Sequence, residues 1–345
     1  MEISIIVGLI SAAVAALLTR LFMPLGNALH LVDDPHSADR KVHRKPIPLV
    51  GGLAIACAIV IVLTVASLII PSMLPMLTTN KWIALGCAVG VLFVVGVADD
   101  RFNLPPSRQI FGPIIAAAIV VVAGITISKI TNPSGGFFSF DRVPALAAIL
   151  TFLWLMGMMY STKLLDGLDG LSSGLSGIGA LMIFALTQTQ QYYEPRIGFL
   201  ALIFAGACFG FLALNFHPAR AFLGDGGSLF MGFALGILAI LSGSKIATTL
   251  LVMGLPVIDV ARVIIARRIA GVPIAHGDSR HLHHLLIANG FSHRGAVLLY
   301  YVIGILFGTT ALFLQSRGKI AMLVLLVVFG VTAALYLEHR LRKRV

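Results

Sequence analysis

Charged residues are scarce in this chain of 345 residues, and cysteine is scarcer still. Only 11% of the residues are Asp, Glu, Lys or Arg, whereas a soluble domain carries about 25%. With 58% hydrophobic residues, this shortage excludes a soluble globular protein and indicates an integral membrane protein. The three cysteines, Cys57, Cys87 and Cys208, stand singly in apolar runs, which excludes a disulfide framework and a cysteine-ligated zinc site.

Apolar runs of roughly 17–24 residues follow one another along the chain, and this is the length that crosses a bilayer as a helix. They predict an all-α, polytopic membrane protein in one domain over residues 1–345, with about eleven transmembrane helices. The predicted spans cover residues 3–24, 48–70, 81–98, 109–128, 144–162, 173–190, 197–214, 228–243, 246–266, 296–315 and 319–338. The turn-rich stretch from Thr131 to Gly136 predicts a small hairpin between two spans.

Lys and Arg residues are distributed unevenly between the two sets of loops. One set, with its adjoining span ends, holds 18 of the 25 positive residues, and the other holds 7. The richer set is expected in the cytoplasm, which places the N-terminus outside and the C-terminus inside. The predicted cytoplasmic loops lie near residues 25–47, 99–108, 163–172, 215–227 and 267–295. This bias accounts for the net charge of +11, and nucleic-acid binding is not predicted, because no basic patch with interleaved aromatic residues occurs.

Acidic residues are rarer, and five of the 14 fall in three short segments on the predicted cytoplasmic side. These five are Asp99 and Asp100, then Asp166 and Asp169, and then Asp225. Carboxylates at a membrane boundary usually mark an ion or substrate site, so the three segments predict a common site. A solvated helix end with a local ion pair, an Asp-Gly turn and a glycine-rich turn remain the structural alternatives.

Each acidic segment has a chemistry of its own. The adjacent carboxylates of Asp99 and Asp100 repel each other and need a cation, hydrogen-bond donors or a proton. Asp166 and Asp169 would share one face if their segment were helical. Asp225 lies in a glycine-rich segment that resembles a helix entry, where free N–H groups favour phosphate. An oxygen-rich site without thiols favours magnesium or manganese over zinc.

The most polar stretch of the chain runs from residue 276 to residue 284 and contains Arg280, His281, His283 and His284. The three closely spaced histidines cannot share one helical face, which argues against a zinc site. Histidines beside an arginine favour contact with an anionic or sugar ligand. An exposed loop and a metal site remain the alternatives.

Two further polar residues lie near the predicted loops. Asn215, just before the glycine-rich segment, could hydrogen-bond a nucleotide or cap the preceding helix. Asp259, one helical turn before Arg262, fits a structural ion pair as well as a role in the site.

Four of these segments, in this order, resemble the motif set of the polyprenyl-phosphate N-acetylhexosamine-1-phosphate transferases. They are Asp99-Asp100, Asp166-Gly-Leu-Asp169-Gly-Leu, Phe222-Leu-Gly-Asp225-Gly-Gly-Ser228 and His281-Leu-His283-His284. The early Pro48-Leu-Val-Gly51-Gly52 is also similar, so the resemblance covers essentially the whole chain. The His-x-His-His pattern looks more like the branch that uses UDP-N-acetylglucosamine than the peptidoglycan branch, which typically has three consecutive histidines.

The resemblance implies transfer of N-acetylglucosamine 1-phosphate from UDP-N-acetylglucosamine to polyprenyl phosphate, with release of UMP. It implies a bacterial cytoplasmic membrane, an active site on the cytoplasmic face, and Mg²⁺ as the cofactor, with Mn²⁺ as a substitute. A homodimer is compatible with the sequence. A phospho-MurNAc-pentapeptide transferase or another UDP-HexNAc-1-phosphate transferase is the alternative within the superfamily. A membrane ion transporter is the alternative from another class, in which carboxylates would be staggered at midplane depth.

The resemblance also implies a role for each motif residue. It assigns catalysis to Asp99 and Asp100, and metal binding to Asp225 with Asp166 and Asp169. The expected substrate contacts are Asn215, Lys163, Arg280, His281, His283 and His284. Lys163 departs from the family pattern, which usually has Asn three residues before the first Asp of the second motif. A lysine at this position brings a positive charge toward the diphosphate but cannot accept a hydrogen bond as an amide oxygen does.

Overall fold

A computed structural model describes residues 1–34, 45–132, 136–243, 245–272 and 280–343. Within these ranges the chain is almost entirely helical, which confirms the predicted all-α class. The helices are α1 Glu2–Ala28, α2 Gly51–Ile69, α3 Thr79–Phe102, α4 Pro106–Gln109, α5 Phe111–Val122, α6 Pro144–Leu165, α7 Leu171–Thr187, α8 Pro195–Asn215, α9 Asp225–Leu241, α10 Ile246–Ile269, α11 Leu282–Ala288, α12 His293–Phe313 and α13 Ser316–Arg342.

Four short strands form two antiparallel pairs in the described part of the chain. β1 (Val32–Asp33) pairs with β2 (Ile47–Pro48), and β3 (Lys129–Thr131) pairs with β4 (Phe137–Ser139). The second pair confirms the predicted hairpin, although residues 133–135 of its turn lie outside the described residues. The basic residues Arg40, Lys41 and Arg44 and the polar stretch 273–279 also lie outside them.

Eight of the described helices are long and apolar enough to cross a membrane, namely α1, α2, α3, α6, α8, α10, α12 and α13. Three shorter apolar helical stretches, Pro106–Val122, Leu171–Thr187 and Asp225–Leu241, lie between them. Each of the predicted spans falls on one of these segments, and α9 ends where the polar stretch before α10 begins. The polytopic membrane architecture is therefore confirmed, while the orientation in the membrane stays a prediction.

The core of the bundle is built around α8. In its most apolar 18-residue stretch 78% of the helix is buried, whereas only 22% is buried in the corresponding stretches of α1 and α13. Small residues let α1 approach it: a Cβ atom on Gly206 would lie 2.0 Å from the carbonyl oxygen of Gly8. Gly210 meets the carbonyl of Ala12 at the same distance one turn later. Helices in lipid associate through such close backbone contacts, because the lipid is as apolar as the side chains.

Candidate active site

Contacts between glycines draw three helix ends together. A Cβ atom on Gly96 of α3 would lie 2.2 Å from the Cα atom of Gly226 in α9, so a side chain there would collide with backbone. Gly52 of α2 meets Gly227 in the same way, with a Cβ position 2.1 Å from the Gly227 Cα atom. The C-terminal end of α3, which carries two aspartates, therefore lies against the N-terminal end of α9.

Asp100 holds the first turn of α9. The glycine-rich segment leads into this helix, as predicted, but the helix begins at Asp225, three residues before the predicted span, and Gly224 has a φ of 75° that favours glycine. The carboxylate of Asp100 accepts a hydrogen bond from the backbone N–H of Asp225, with distances of 3.0 Å to Oδ1 and 3.2 Å to Oδ2. A negative charge at a helix N-terminus is favourable, so Asp100 fixes the position from which the Asp225 side chain projects.

Lys163, near the end of α6, lies between the other two carboxylates. Its Nζ is 3.0 Å from Oδ2 of Asp225 and 3.4 Å from Oδ2 of Asp99. It also donates a hydrogen bond to Oε1 of Gln109 at 3.0 Å. Asp99 is buried, and its Oδ1 accepts hydrogen bonds from the backbone N–H of Leu104 and the amide of Gln109. The first and third acidic segments therefore share one ammonium group.

Asp166 and Asp169 lie in the turn between α6 and α7, which is not helical. The condition under which their spacing would place both on one helical face is therefore not met. Burial, together with the negative charges of Asp225, Asp169 and Asp100, raises the pKa of Asp166 to about 8. A carboxyl group in this position ionises at neutral pH only if a nearby cation offsets those charges.

Asp169 lies in a separate cluster with two histidines. Its Oδ2 is 2.7 Å from Nδ1 of His217, and its backbone N–H donates to Nε2 of His293 at 2.8 Å. The two imidazole rings stack with centroids 4.2 Å apart and planes inclined by 14°. The three side chains are close enough to hold a metal ion. Nε2 of His293 already accepts the backbone N–H of Asp169, and Nδ1 of His217 faces its carboxylate, so the contacts favour a hydrogen-bonded brace between the second motif, the end of α8 and the start of α12.

Asn215 ties the second motif to the glycine-rich segment. It is 2% exposed, and its Oδ1 accepts hydrogen bonds from the backbone N–H of Gly170 and the hydroxyl of Ser173. Its amide nitrogen donates to the carbonyl of Ala221. The side chain therefore braces two loops instead of capping its own helix, and its contact with substrate stays a prediction.

Asp259 anchors the histidine loop, which we define as residues 280–284, to α10. Its Oδ1 accepts a hydrogen bond from Arg262 at 2.9 Å. Its Oδ2 lies 2.9 Å from Nδ1 of His281 and accepts the backbone N–H of Leu282 at 3.0 Å. Arg262 also pairs with Glu338 of α13. The ion pair that the sequence allowed is thus present, and it is part of the support for the loop.

His283 turns inward from the histidine loop onto the second motif. It is 2% exposed, and a Cβ atom on Gly167 would lie 2.5 Å from its Nε2, so only glycine leaves room for the ring. Burial lowers the pKa of His283 to about 3, which keeps it neutral. His284 lies beside it with ring centroids 4.1 Å apart, and Arg280 is exposed at the edge of the loop. The fourth motif therefore contacts the second.

The acidic segments fall inside the region that a known family covers. The family model described as glycosyl transferase family 4 matches residues 82–243. A probable undecaprenyl-phosphate N-acetylglucosaminyl 1-phosphate transferase of Bacillus subtilis is 32% identical over 89% of this chain and 84% of its own length. This chain belongs to glycosyl transferase family 4.

Further relatives in glycosyl transferase family 4 carry two kinds of name. A decaprenyl-phosphate N-acetylglucosaminephosphotransferase of Mycobacterium tuberculosis is 32% identical over 97% of this chain and 89% of its own length. A phospho-N-acetylmuramoyl-pentapeptide-transferase of Shouchella clausii is 28% identical over 89% of this chain and 95% of its own length. Both names describe transfer of a sugar phosphate, so they support the superfamily to which the sequence motifs pointed.

Several contact residues of this family 4 site carried no signal in the sequence. Gln109 begins a predicted span, His293 lies outside every motif, and Glu338 lies in the last helix. Each of these residues reaches the site only because its helix packs against a segment that is distant in the sequence. A polar residue at the end of an apolar span is the one feature that could have drawn attention to Gln109.

The carboxylates near Lys163 form a donor set of hard oxygens. Asp225 is 35% exposed, and its negative charge is one of those that raise the pKa of half-buried Asp166. Magnesium and manganese prefer such oxygen ligands, so the residues fit a hard divalent cation. The Lys163 ammonium already contacts Asp225, and a metal ion bound there would have to share that carboxylate with it.

Proposed function

We propose that this protein transfers N-acetylglucosamine 1-phosphate from UDP-N-acetylglucosamine to polyprenyl phosphate and releases UMP. The observation that carries the proposal is the meeting of four separate motifs. Lys163 contacts both Asp99 and Asp225, and the histidine loop packs against the turn that follows Lys163. The names of the relatives supply the class of reaction that such a site would perform.

In the proposed reaction, an oxygen of the lipid phosphate attacks the phosphorus that bears the sugar. The bond from that phosphorus to the bridging oxygen breaks, and UMP leaves with the oxygen and the bonding electrons. Both reactants are anions, so their charge must be neutralised before they can meet. Lys163 and Arg280 would supply positive charge, and His281, His283 and His284 would donate hydrogen bonds to the sugar and phosphates.

Mg²⁺ is the cofactor that we propose, with Mn²⁺ as a substitute. Asp225 would be the main ligand and Asp166 the second, because the negative charge of Asp225 acts on Asp166 and raises its pKa. Bound there, the metal would offset the negative charge of the diphosphate. Asp169 was expected to assist, but its Oδ2 is engaged by both His217 and the backbone N–H of Ala219, so we assign it to positioning the loop.

Asp99 and Asp100 are proposed to position the reacting groups. A phosphate monoester has a second pKa near 6, so at pH 7 about nine-tenths of the lipid phosphate is already a dianion. A general base then gains little. The contacts of Asp99 with Lys163 and of Asp100 with the start of α9 support positioning instead. A general base and a transient aspartyl phosphate remain the competing roles.

The role of Asp99 has a direct test in the pH dependence of UMP release. As a positioning residue, Asp99→Asn should lower the rate by a similar factor at every pH, because no proton transfer is removed. As a base, the same variant should recover much of its activity at high pH, where hydroxide supplies the missing function. A profile from pH 6 to pH 9 separates the two roles.

The proposed setting is the bacterial cytoplasmic membrane, with the site on the cytoplasmic face. The excess of Lys and Arg in the loops that carry the motifs supports this face. The water-soluble UDP-sugar would approach from the cytoplasm, and the polyprenyl chain would enter sideways between helices, because a long isoprenoid stays in the bilayer. A homodimer stays a prediction.

A panel of UDP-sugars tests the proposal. Purified protein in detergent is mixed with undecaprenyl phosphate, Mg²⁺ and one UDP-sugar at a time, and UMP release and the mass of the lipid product are recorded. UDP-N-acetylglucosamine should give both signals. A product from UDP-MurNAc-pentapeptide alone would favour the peptidoglycan branch. Failure with every UDP-sugar, together with ion flux in protein-containing vesicles, would favour a transporter.

A further inference from the structure

Lys163 occupies the place where a cation is most needed in the site. Its ammonium has three N–H donors, and three oxygens lie within reach, at 3.0 Å on Asp225, 3.4 Å on Asp99 and 3.0 Å on Gln109. These partners come from three different helical segments. The side chain is 18% exposed, so solvent screens these contacts less than it screens a surface ion pair. The ammonium is therefore a fixed part of the cluster.

The charge balance around Lys163 leaves a negative excess. Asp99 and Asp225 both contact the ammonium, and Asp100 contacts the backbone of Asp225. One ammonium cannot neutralise even the two carboxylates that touch it. A divalent ion would neutralise more of them, but on Asp225 it would stand beside a like charge, and the two would repel each other strongly at short distance.

We propose that Lys163 is a built-in counter-cation that competes with a divalent metal ion for Asp225 and so sets the metal affinity of the site. The inference deepens the function proposed above and rests on its placement of a metal at Asp225. To bind, the metal ion must draw Asp225 away from the ammonium, while Asp99 and Gln109 retain it. Metal binding and the position of Lys163 are then coupled, and a neutral residue at position 163 should bind metal more tightly.

Mn²⁺ binding to the purified protein tests this coupling without any substrate. Free Mn²⁺ is measured by electron paramagnetic resonance while the ion is titrated into the full chain in detergent. Lys163→Gln, which removes the charge and keeps a polar side chain of similar length, should bind Mn²⁺ at least about tenfold more tightly than the wild type. Lys163→Arg retains the charge and should stay within about twofold of the wild type. Lys129→Gln, in the distant hairpin, is the matched control and should leave the affinity unchanged.

A wild-type Mn²⁺ affinity in Lys163→Gln would overturn the inference, and so would an equal gain in Lys163→Arg. Lys163→Met removes the charge without adding a metal ligand. It should show the same direction of change and serves if the Gln variant does not fold, as judged by gel filtration. The assay contains no nucleotide, so its result is separable from the proposed function. UMP release with unchanged Mn²⁺ affinity would refute only the role of Lys163, and tighter binding without UMP release would refute only the reaction.

Discussion

Two carboxylate clusters lie on adjoining parts of this site, and they are satisfied to very different degrees. Around Lys163, the carboxylates of Asp99 and Asp225 share a single ammonium, and Asp100 contacts only the backbone of Asp225. Around Asp259, one carboxylate receives Arg262, His281 and a backbone N–H. The first cluster has more negative charge than its partners can neutralise, whereas the second has a donor for each oxygen.

The difference distinguishes two parts of the site. The carboxylates around Lys163 must exchange interaction partners during the reaction, whereas Asp259 must keep its partners. Excess negative charge in a partly buried cluster is costly, and its retention is typical of a place that binds a cation or a charged substrate. A carboxylate with all its partners in place stabilises one arrangement of the chain. We therefore expect changes in the Lys163 cluster to alter chemistry, and changes around Asp259 to alter structure first.

Asp225→Asn should have the largest effect on activity. The substitution removes the charge that Lys163 contacts and that the proposed metal would use, while it keeps the shape of the side chain. UMP release should fall by about 10³-fold, with little change in the melting temperature of the purified protein. Asp141→Asn, at the exposed end of the hairpin, is the control. A loss of stability as large as the loss of activity would erase the contrast between the two clusters.

Gly96→Ala tests whether the contact between α3 and α9 sets the geometry of the first cluster. The added Cβ atom would lie 2.2 Å from backbone atoms of Gly226, so the helices must move apart and Asp99 with them. A displacement of about 1 Å should reduce UMP release by about 10²-fold. Gly90→Ala on the same helix meets nothing within 4 Å and should behave as the wild type. Equal activity of the two variants would contradict the role of this contact.

Asp259→Asn should act on the second cluster mainly through stability. An amide at this position would direct N–H groups at donors and leave Arg262 and His281 without their shared anion. Removing one partner of such a buried ion pair costs about 3 kcal/mol, which thermal unfolding in detergent would detect. At temperatures where the variant is folded, UMP release should fall only about tenfold, through the loosened histidine loop. A stable variant without activity would instead place Asp259 in the chemistry.

The smallest expected effect is a loss of folding stability on acidification, caused by protonation of His283. Its pKa is lowered to about 3 in the folded protein by burial, against about 6.5 in an unfolded chain. The unfolded chain therefore takes up the proton first, and the stability present above pH 6.5 is lost as the pH falls toward 3. Between pH 6.5 and pH 5 the loss should be about 2 kcal/mol.

Thermal unfolding at pH 7 and pH 5 measures this difference for the wild type and for His283→Gln. The variant has no group that titrates at position 283, so its melting temperature should fall less on acidification. Equal shifts in both proteins would show that other groups carry the acid sensitivity.

Hydropathy was sufficient to predict the membrane-spanning helices, and the order of the motifs was sufficient to predict the family. Every span predicted from an apolar run of bilayer length falls on an observed helical segment. Such runs form helices because a segment in lipid must satisfy its own backbone hydrogen bonds. The break before Ile246 and a helix entry in the glycine-rich segment followed from local polar and glycine residues, although α9 begins three residues before the predicted span. These features depend only on neighbours along the chain.

Contacts between distant segments could not be predicted in the same way. The spacing of Asp166 and Asp169 would have given one shared face in a helix, but the segment is a turn, in which Asp169 pairs with His217. Asn215 had a local explanation as a cap, yet it joins two loops. Such outcomes depend on the packing of whole helices, which hydropathy does not specify.

The sequence by itself determined that this protein is a bundle of membrane helices with a few rare charges, because burial in lipid restricts both composition and backbone. Only the tertiary structure decided which of those charges meet. Lys163 lies 62 residues from Asp225 and 64 from Asp99, and the three are brought together by glycine contacts between α3 and α9 and by the end of α6. An ion pair forms only where packing brings its two residues together, and the order of residues along the chain does not show which residues will meet.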